Sequence, residues 1–104
     1  MTNHMRMAIY RITQGTYAEL MEKAREGMAP ILRDSPGFVF YSTTDVGDGR
    51  FVSVSTWQTR EQAEAATEKA SHWVSENLAD SVALQENLIG EMTTLAATAR
   101  SAVE

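Results

Sequence analysis

The sequence predicts an α+β fold, a ferredoxin-like βαββαβ chain with an antiparallel sheet, paired with a second copy as a dimeric α/β barrel. Three observations lead there. Four short runs with strand patterning alternate with two helical patterns in that order. Two capping boxes, Thr16 with Glu19 and Thr59 with Gln62, mark where the helices begin. Finally, right-handed crossovers put both helices on one sheet face, yet both faces of the middle strands carry large apolar groups. Phe38 and Phe40 alternate with Val39 and Tyr41, and Phe51 and Trp57 with Val52 and Val54. A second copy's sheet is the simplest cover, so a homodimer through the sheet face is expected.

Residues 5–13 are short, apolar and alternating, which reads as the first strand, and Gly15 breaks it. From Thr16 onward, Tyr17, Leu20, Met21, Ala24, Met28, Ile31 and Leu32 recur at helical spacing and form one apolar stripe. Pro30 is expected to end or kink this helix, and Asp34-Ser-Pro-Gly37 to stop it. Phe38 to Thr44 is the second strand. Asp45-Val-Gly-Asp-Gly49 supplies hairpin chemistry, and Arg50 to Gln58 is the third strand. The second helix has a thin inner face of Ala63, Ala66 and Ala70 before Trp73, Val74 and Leu78, with a break allowed near Ser71. The last strand is expected over Leu84 to Thr94, with Gly90 as a bulge or kink. The tail from Ala96 frays or adds a short helix.

Composition narrows the function classes. A chain of 104 residues, 43% hydrophobic, reads as one domain over 1–104 with its core over about 5–95. A formal charge of −5 without any Lys/Arg cluster argues against nucleic-acid and anionic-membrane binding. The absence of cysteine removes disulfides, thiolate metal sites and cysteine nucleophiles. No segment approaches the roughly 20 apolar residues of a membrane span, and the start lacks a signal-peptide pattern, so a soluble cytoplasmic protein is expected. No His/Asp/Glu spacing suggests a metal, and no Gly-rich loop follows a strand to hold phosphate. No cofactor is expected.

The order of elements, the Ser35-Pro-Gly-Phe38 link and the Ser55-Thr-Trp57-Gln-Thr-Arg-Glu61 junction resemble the antibiotic biosynthesis monooxygenase family of dimeric α/β barrels. Ala70-Ser-His72 resembles the family's Ser-x-His. The likeness spans about residues 5–95. It implies a cofactor-independent monooxygenase oxidising a small electron-rich phenol or quinol, with dioxygen as co-substrate. The family's quinone-forming members look like Asn-Tyr-x-x-Trp on strand three; here Trp57 matches, while Ser53 replaces the amide with a shorter hydroxyl. Haem degradation is rejected, because Tyr10, Ala66 and Glu76 stand where that branch has its Asn, Trp and haem-ligating His.

On this reading the catalytic candidates are His72 and Trp57, and the substrate-binding candidates are Ser53, Tyr41 and Tyr10. A neutral imidazole at His72 could take a phenolic proton near neutral pH, or simply sit solvated at a helix end. Trp57 either stacks on an aromatic ligand or packs in the core. Tyr10 and Tyr41 either turn hydroxyls into a cavity or pack at an interface. Arg6, Arg11 and Arg50 could clamp an acidic substrate or form surface ion pairs. Trp73 reads as an anchor for the second helix. The alternative function is a non-catalytic dimeric barrel that binds a small molecule. An isomerase or decarboxylase on the same barrel is a third possibility.

Overall fold

Each helix begins where its cap lies. In the computed structural model, which describes residues 3–98, Thr16 and Thr59 accept from the backbone N–H groups of Glu19 and Gln62, whose side chains reach back to the cap N–H groups. The elements are β1 (His4–Ile12), α1 (Tyr17–Lys23), a π-helical turn (Ala24–Met28), α2 (Ala29–Arg33), β2 (Phe38–Gly47), β3 (Arg50–Trp57), α3 (Arg60–Asn77) and β4 (Val82–Glu91). Their order is the predicted one. All neighbouring strands run antiparallel in the order β2-β3-β1-β4, which leaves β2 and β4 as edges.

Several local expectations need correction. Pro30 does not end the first helical segment, which runs on to Arg33; the irregularity beside it is a π turn just before the proline. The π turn accommodates it: the Ala29 N–H bonds back to the Ala24 carbonyl, and Pro30 follows in the first turn of α2, where a missing N–H is tolerated. The same turn corrects the phase of the apolar stripe. Leu20, Ala24, Met28 and Leu32, all buried, repeat every four residues, longer than the 3.6 of an α-helix, so a wider turn keeps them on one face. No break occurs near Ser71; α3 is continuous. Gly90 pairs regularly with Met5, and the irregularity in that ladder falls at Ile9/Tyr10 instead. The last strand ends at Glu91 rather than Thr94. Residues 96–98 have no regular structure, and the rest of the predicted tail lies outside the described residues.

The hairpin is tight: Asp48 and Gly49, both at positive φ, join β2 to β3, so β2 extends to Gly47. Gly37, with φ +79°, lies against the Gln62 carboxamide, leaving no room for a Cβ, and its carbonyl accepts from the Gln58 N–H at 3.0 Å. The Pro-Gly link and the second capping box are therefore one packed unit.

Strand periodicity sorts the sheet into two faces. Arg6, Ala8 and Tyr10 of β1 pair with Ser55, Ser53 and Phe51 of β3, and all six are buried beneath the helices. The core forms two clusters: Trp57 with Ala63, Ala66, Ala70, Met28 and Leu32, and Tyr10 with Phe51, Leu20, Leu78 and Val82. Trp73 and Val74 pack against both, so the predicted anchoring role of Trp73 is seen. Met5, Met7 and Ile9 of β1, opposite Thr56, Val54 and Val52 of β3, form the other face and are only half-buried, apart from Thr56. Leu88 and Phe40 lie beside them and are exposed.

Candidate functional site

Between the helices and the sheet lies a narrow internal cavity of about 30 Å³, room for one or two waters. Strands supply its polar wall: Arg6 and Tyr10 from β1, Tyr41 and Thr43 from β2, Ser53 from β3. The first helical segment and α3 supply its apolar wall, in which Met21, Met28 and Trp73 are the bulkiest groups. Met21, Ala24, Tyr41 and Thr43 also line an outer cleft of about 420 Å³ between the first helical segment and the edge strand β2. The cavity and the cleft thus share a wall. Tyr17 and Thr43 share a hydroxyl hydrogen bond of 2.8 Å, and Thr43 Oγ1 also lies 2.9 Å from Met21 Sδ, so these side chains brace that wall.

Of the predicted site residues, Ser53, Tyr41 and Tyr10 meet at this cavity. Tyr10 is stacked on Phe51 at 5.2 Å between ring centroids, which fixes its ring and leaves little of its face for a ligand. Burial raises the pKa of Tyr41 above its ordinary 10.0, while the Ser53 hydroxyl and the Arg6 charge nearby oppose the rise. Tyr41 is therefore a neutral phenol at physiological pH, able to donate a hydrogen bond and unable to act as a base.

The two catalytic candidates lie elsewhere. His72 projects from the outer side of α3, its side chain 74% exposed, and its Nε2 lies 3.3 Å from Glu76 one turn later. Helical phase explains this: the inner face of α3 runs through Ala66, Ala70, Trp73 and Val74, and residue 72 falls outside it. It is not placed to take a proton from anything in the cavity. Trp57 is 0% exposed and does not line the cavity. Its Nε1–H donates to Ser55 Oγ at 2.9 Å, and its ring meets Phe38 edge-on at 5.5 Å. The alanines of α3 let the helix lie close at this end of the sheet, and the indole fills the space that remains. Trp57 is a core residue.

Among the three arginines, Arg11 and Arg50 face each other across β1 and β3 on the uncovered side of the sheet. Arg6 alone lines the cavity. No local motif in the sequence is a signal for its partner Asn87, whose Oδ1 accepts from Arg6 Nε at 2.6 Å. In hindsight, β4 carries one: Asn87 pairs with Ala8 on the helix-covered face, while Leu88 points outward. That arrangement places a polar side chain against Arg6 at the open edge of the covered face, Asn87 itself remaining exposed, and an apolar one on the outer face.

No family model matches the chain, and no curated protein matches its sequence. Solved structures do share its fold. A protein of unknown function from Nitrosomonas europaea has a TM-score of 0.71 at 16% identity, covering 97% of each chain. A candidate antibiotic biosynthesis monooxygenase from Chloroflexus aurantiacus has a TM-score of 0.67 at 15% identity, covering 91% of this chain and 97% of that one. SnoaB, a cofactor-independent oxygenase from Streptomyces nogalater, has a TM-score of 0.64 at 16% identity, covering 97% of this chain and 100% of that one. The predicted fold of the single chain, ferredoxin-like with an antiparallel sheet, is the fold observed, and antibiotic biosynthesis monooxygenase-like structures share it. Among the described residues no helix is long and apolar enough to cross a membrane.

Proposed function

We propose that this protein is a cofactor-independent monooxygenase that oxidises a small electron-rich phenol or quinol where the outer cleft meets the cavity between sheet and helices. The observation that carries the reading is the pairing of an apolar wall with a short polar row, Arg6, Tyr41 and Ser53, on rigid strands. The phenol would lie in the outer cleft with its oxygen directed to that row, and Met21 and Met28 would turn aside to admit it. Its deprotonated form is rich enough in electrons to reduce dioxygen directly. One oxygen atom then enters the ring as a quinone carbonyl. The other leaves as water with the phenolic proton and the displaced ring hydrogen, so the substrate supplies both electrons. The protein's share is to hold the anion in a water-poor site beside oriented donors.

Among the described residues no histidine or carboxylate lines the cavity, and that observation favours a second reading, a non-catalytic small-molecule binder on the same site. Oxygen uptake with dithranol-like and naphthol-like substrates separates the two. Uptake that saturates with substrate supports the oxygenase, and saturable binding without uptake supports the binder. Turnover without oxygen would instead point to an isomerase or decarboxylase. On either reading the uncovered face of Met5, Met7, Ile9, Val52, Val54 and Leu88 would be closed by a second copy of the chain. Sedimentation equilibrium should then give twice the mass of one chain, and Val54→Asp should reduce it to one.

A further inference from the structure

Arg6 is 4% exposed, yet it takes part in no ion pair among the described residues. Its one side-chain hydrogen bond there runs from Nε to the neutral amide of Asn87. Burying a guanidinium is expensive unless an opposite charge compensates it, and a protein needing only to fill this volume would use an apolar residue. The charge faces a cavity whose other polar groups, Tyr10, Tyr41, Thr43 and Ser53, are all hydroxyls that can donate. Charged and titratable groups facing Arg6 are few. Tyr10 belongs to its own strand and Tyr41 to β2; the helical segments place no acidic residue on the cavity wall, and Arg25 lines only the outer cleft. Every polar group at the site therefore suits a negative guest.

Resting on the cavity's being the ligand site, we propose that its ligand binds as an anion, an aryl carboxylate or phenolate whose charged oxygen pairs with the Arg6 guanidinium. The wall residues shared with the outer cleft put the ring on the cleft side and the oxygen inside. Arg6 is thus the residue that determines specificity, and for a phenol it replaces a general base by favouring the ionised form. The deep cavity need hold no more than that oxygen, which fits its small volume.

NMR titration of the Arg6 Nε–H and the Trp73 indole N–H with benzoate, 4-nitrophenol and the neutral benzyl alcohol tests the proposal. Benzoate or 4-nitrophenolate should bind at least about tenfold more tightly than benzyl alcohol, as expected for a charge-assisted hydrogen bond. Bound 4-nitrophenol should ionise at lower pH than the free phenol, read from its phenolate absorbance. Arg6→Met should abolish both differences while unfolding at a urea midpoint no lower than wild type, because the uncompensated charge is gone. A purely structural Arg6 would show the opposite, a lowered midpoint with probe selectivity unchanged in Arg6→Lys. Benzyl alcohol binding as tightly as both anions overturns the anionic ligand and leaves the cavity site standing, a comparison that needs only the wild-type protein. If none of the probes binds, both fall. Arg6-dependent anion binding without oxygen uptake keeps this proposal and overturns the oxygenase.

Discussion

Replacing Trp57 with alanine separates a core tryptophan from a ligand platform. The side chain is completely buried, and a buried tryptophan hides about 150–250 Å². At about 25 cal/mol per Å² that burial stabilises the fold by about 4–6 kcal/mol, close to the ~3–5 kcal/mol usual for such truncations. Ser55 Oγ also loses its donor, which adds about 1 kcal/mol. Domains of this size hold only about 5–15 kcal/mol of net stability, so Trp57→Ala should be largely unfolded or close to it at room temperature. Trp57→Phe keeps a ring beside Phe38 and should fold with an intermediate loss. Urea unfolding followed by far-UV circular dichroism gives both values. A Trp57→Ala protein with the wild-type urea midpoint but no benzoate binding would refute the core assignment and restore Trp57 to the ligand site.

Further expectations concern the surface, the cavity and the first link. His72→Ala should change stability by no more than about 0.5 kcal/mol and leave probe binding and any oxygen uptake unaltered, since the side chain meets only solvent and Glu76. Tyr41 has a folded pKa raised by burial, so the stability from keeping it neutral is complete below the unfolded value and is lost as pH rises through the folded one. Thermal melts between about pH 9 and 11 should therefore fall less steeply for Tyr41→Phe than for wild type. Gly37→Ala forces a Cβ into the Gln62 carboxamide at a left-handed φ, and should cost about 2 kcal/mol from strain and a weakened cap together. Denaturant titration reads that loss, and Gln62→Ala should make part of it redundant.

The fold was legible because its signals are local. Capping boxes, a Pro-Gly stop and an Asp-Gly hairpin act over three or four residues, and each forms where the sequence places it. The π turn was not legible, although the four-residue repeat of Leu20, Ala24, Met28 and Leu32 was its trace. The candidate site was legible only as a grouping. Ser53, Tyr41 and Tyr10 share one cavity wall because strand parity has a fixed period of two and carries across the register of β1, β2 and β3. His72 lies away from the cavity because a short Ser-x-His likeness says nothing about helical phase, and two positions past Ala70 turn a side chain by about 200°. Trp57 stands apart from the cavity for another reason: whether a strand-end tryptophan meets a pocket depends on the helix above it, and here alanines bring that helix down onto the ring. Arg6 could not be told from Arg11 and Arg50 until the sheet acquired an inside.

The widened turn at Ala24–Met28 gives the two walls of the cavity different mechanical characters. On the strand side, Arg6 and Ser53 sit in the unbroken β1–β3 ladder and Tyr41 in the regular stretch of the β2–β3 ladder between its two register shifts, so their spacing resists change. On the other side stand Ala24 and Met28 within the turn and Met21 just before it, where the backbone is already off its regular spacing and two of the three side chains are thioethers. Charge selection is thus built into the stiff half and size selection into the compliant half. Substitutions at Met21, Ala24 or Met28 can change the dimensions of the accepted guest without disturbing the groups that recognise its oxygen. Such a scaffold can exchange one ligand for another of the same charge through single changes in one helical segment.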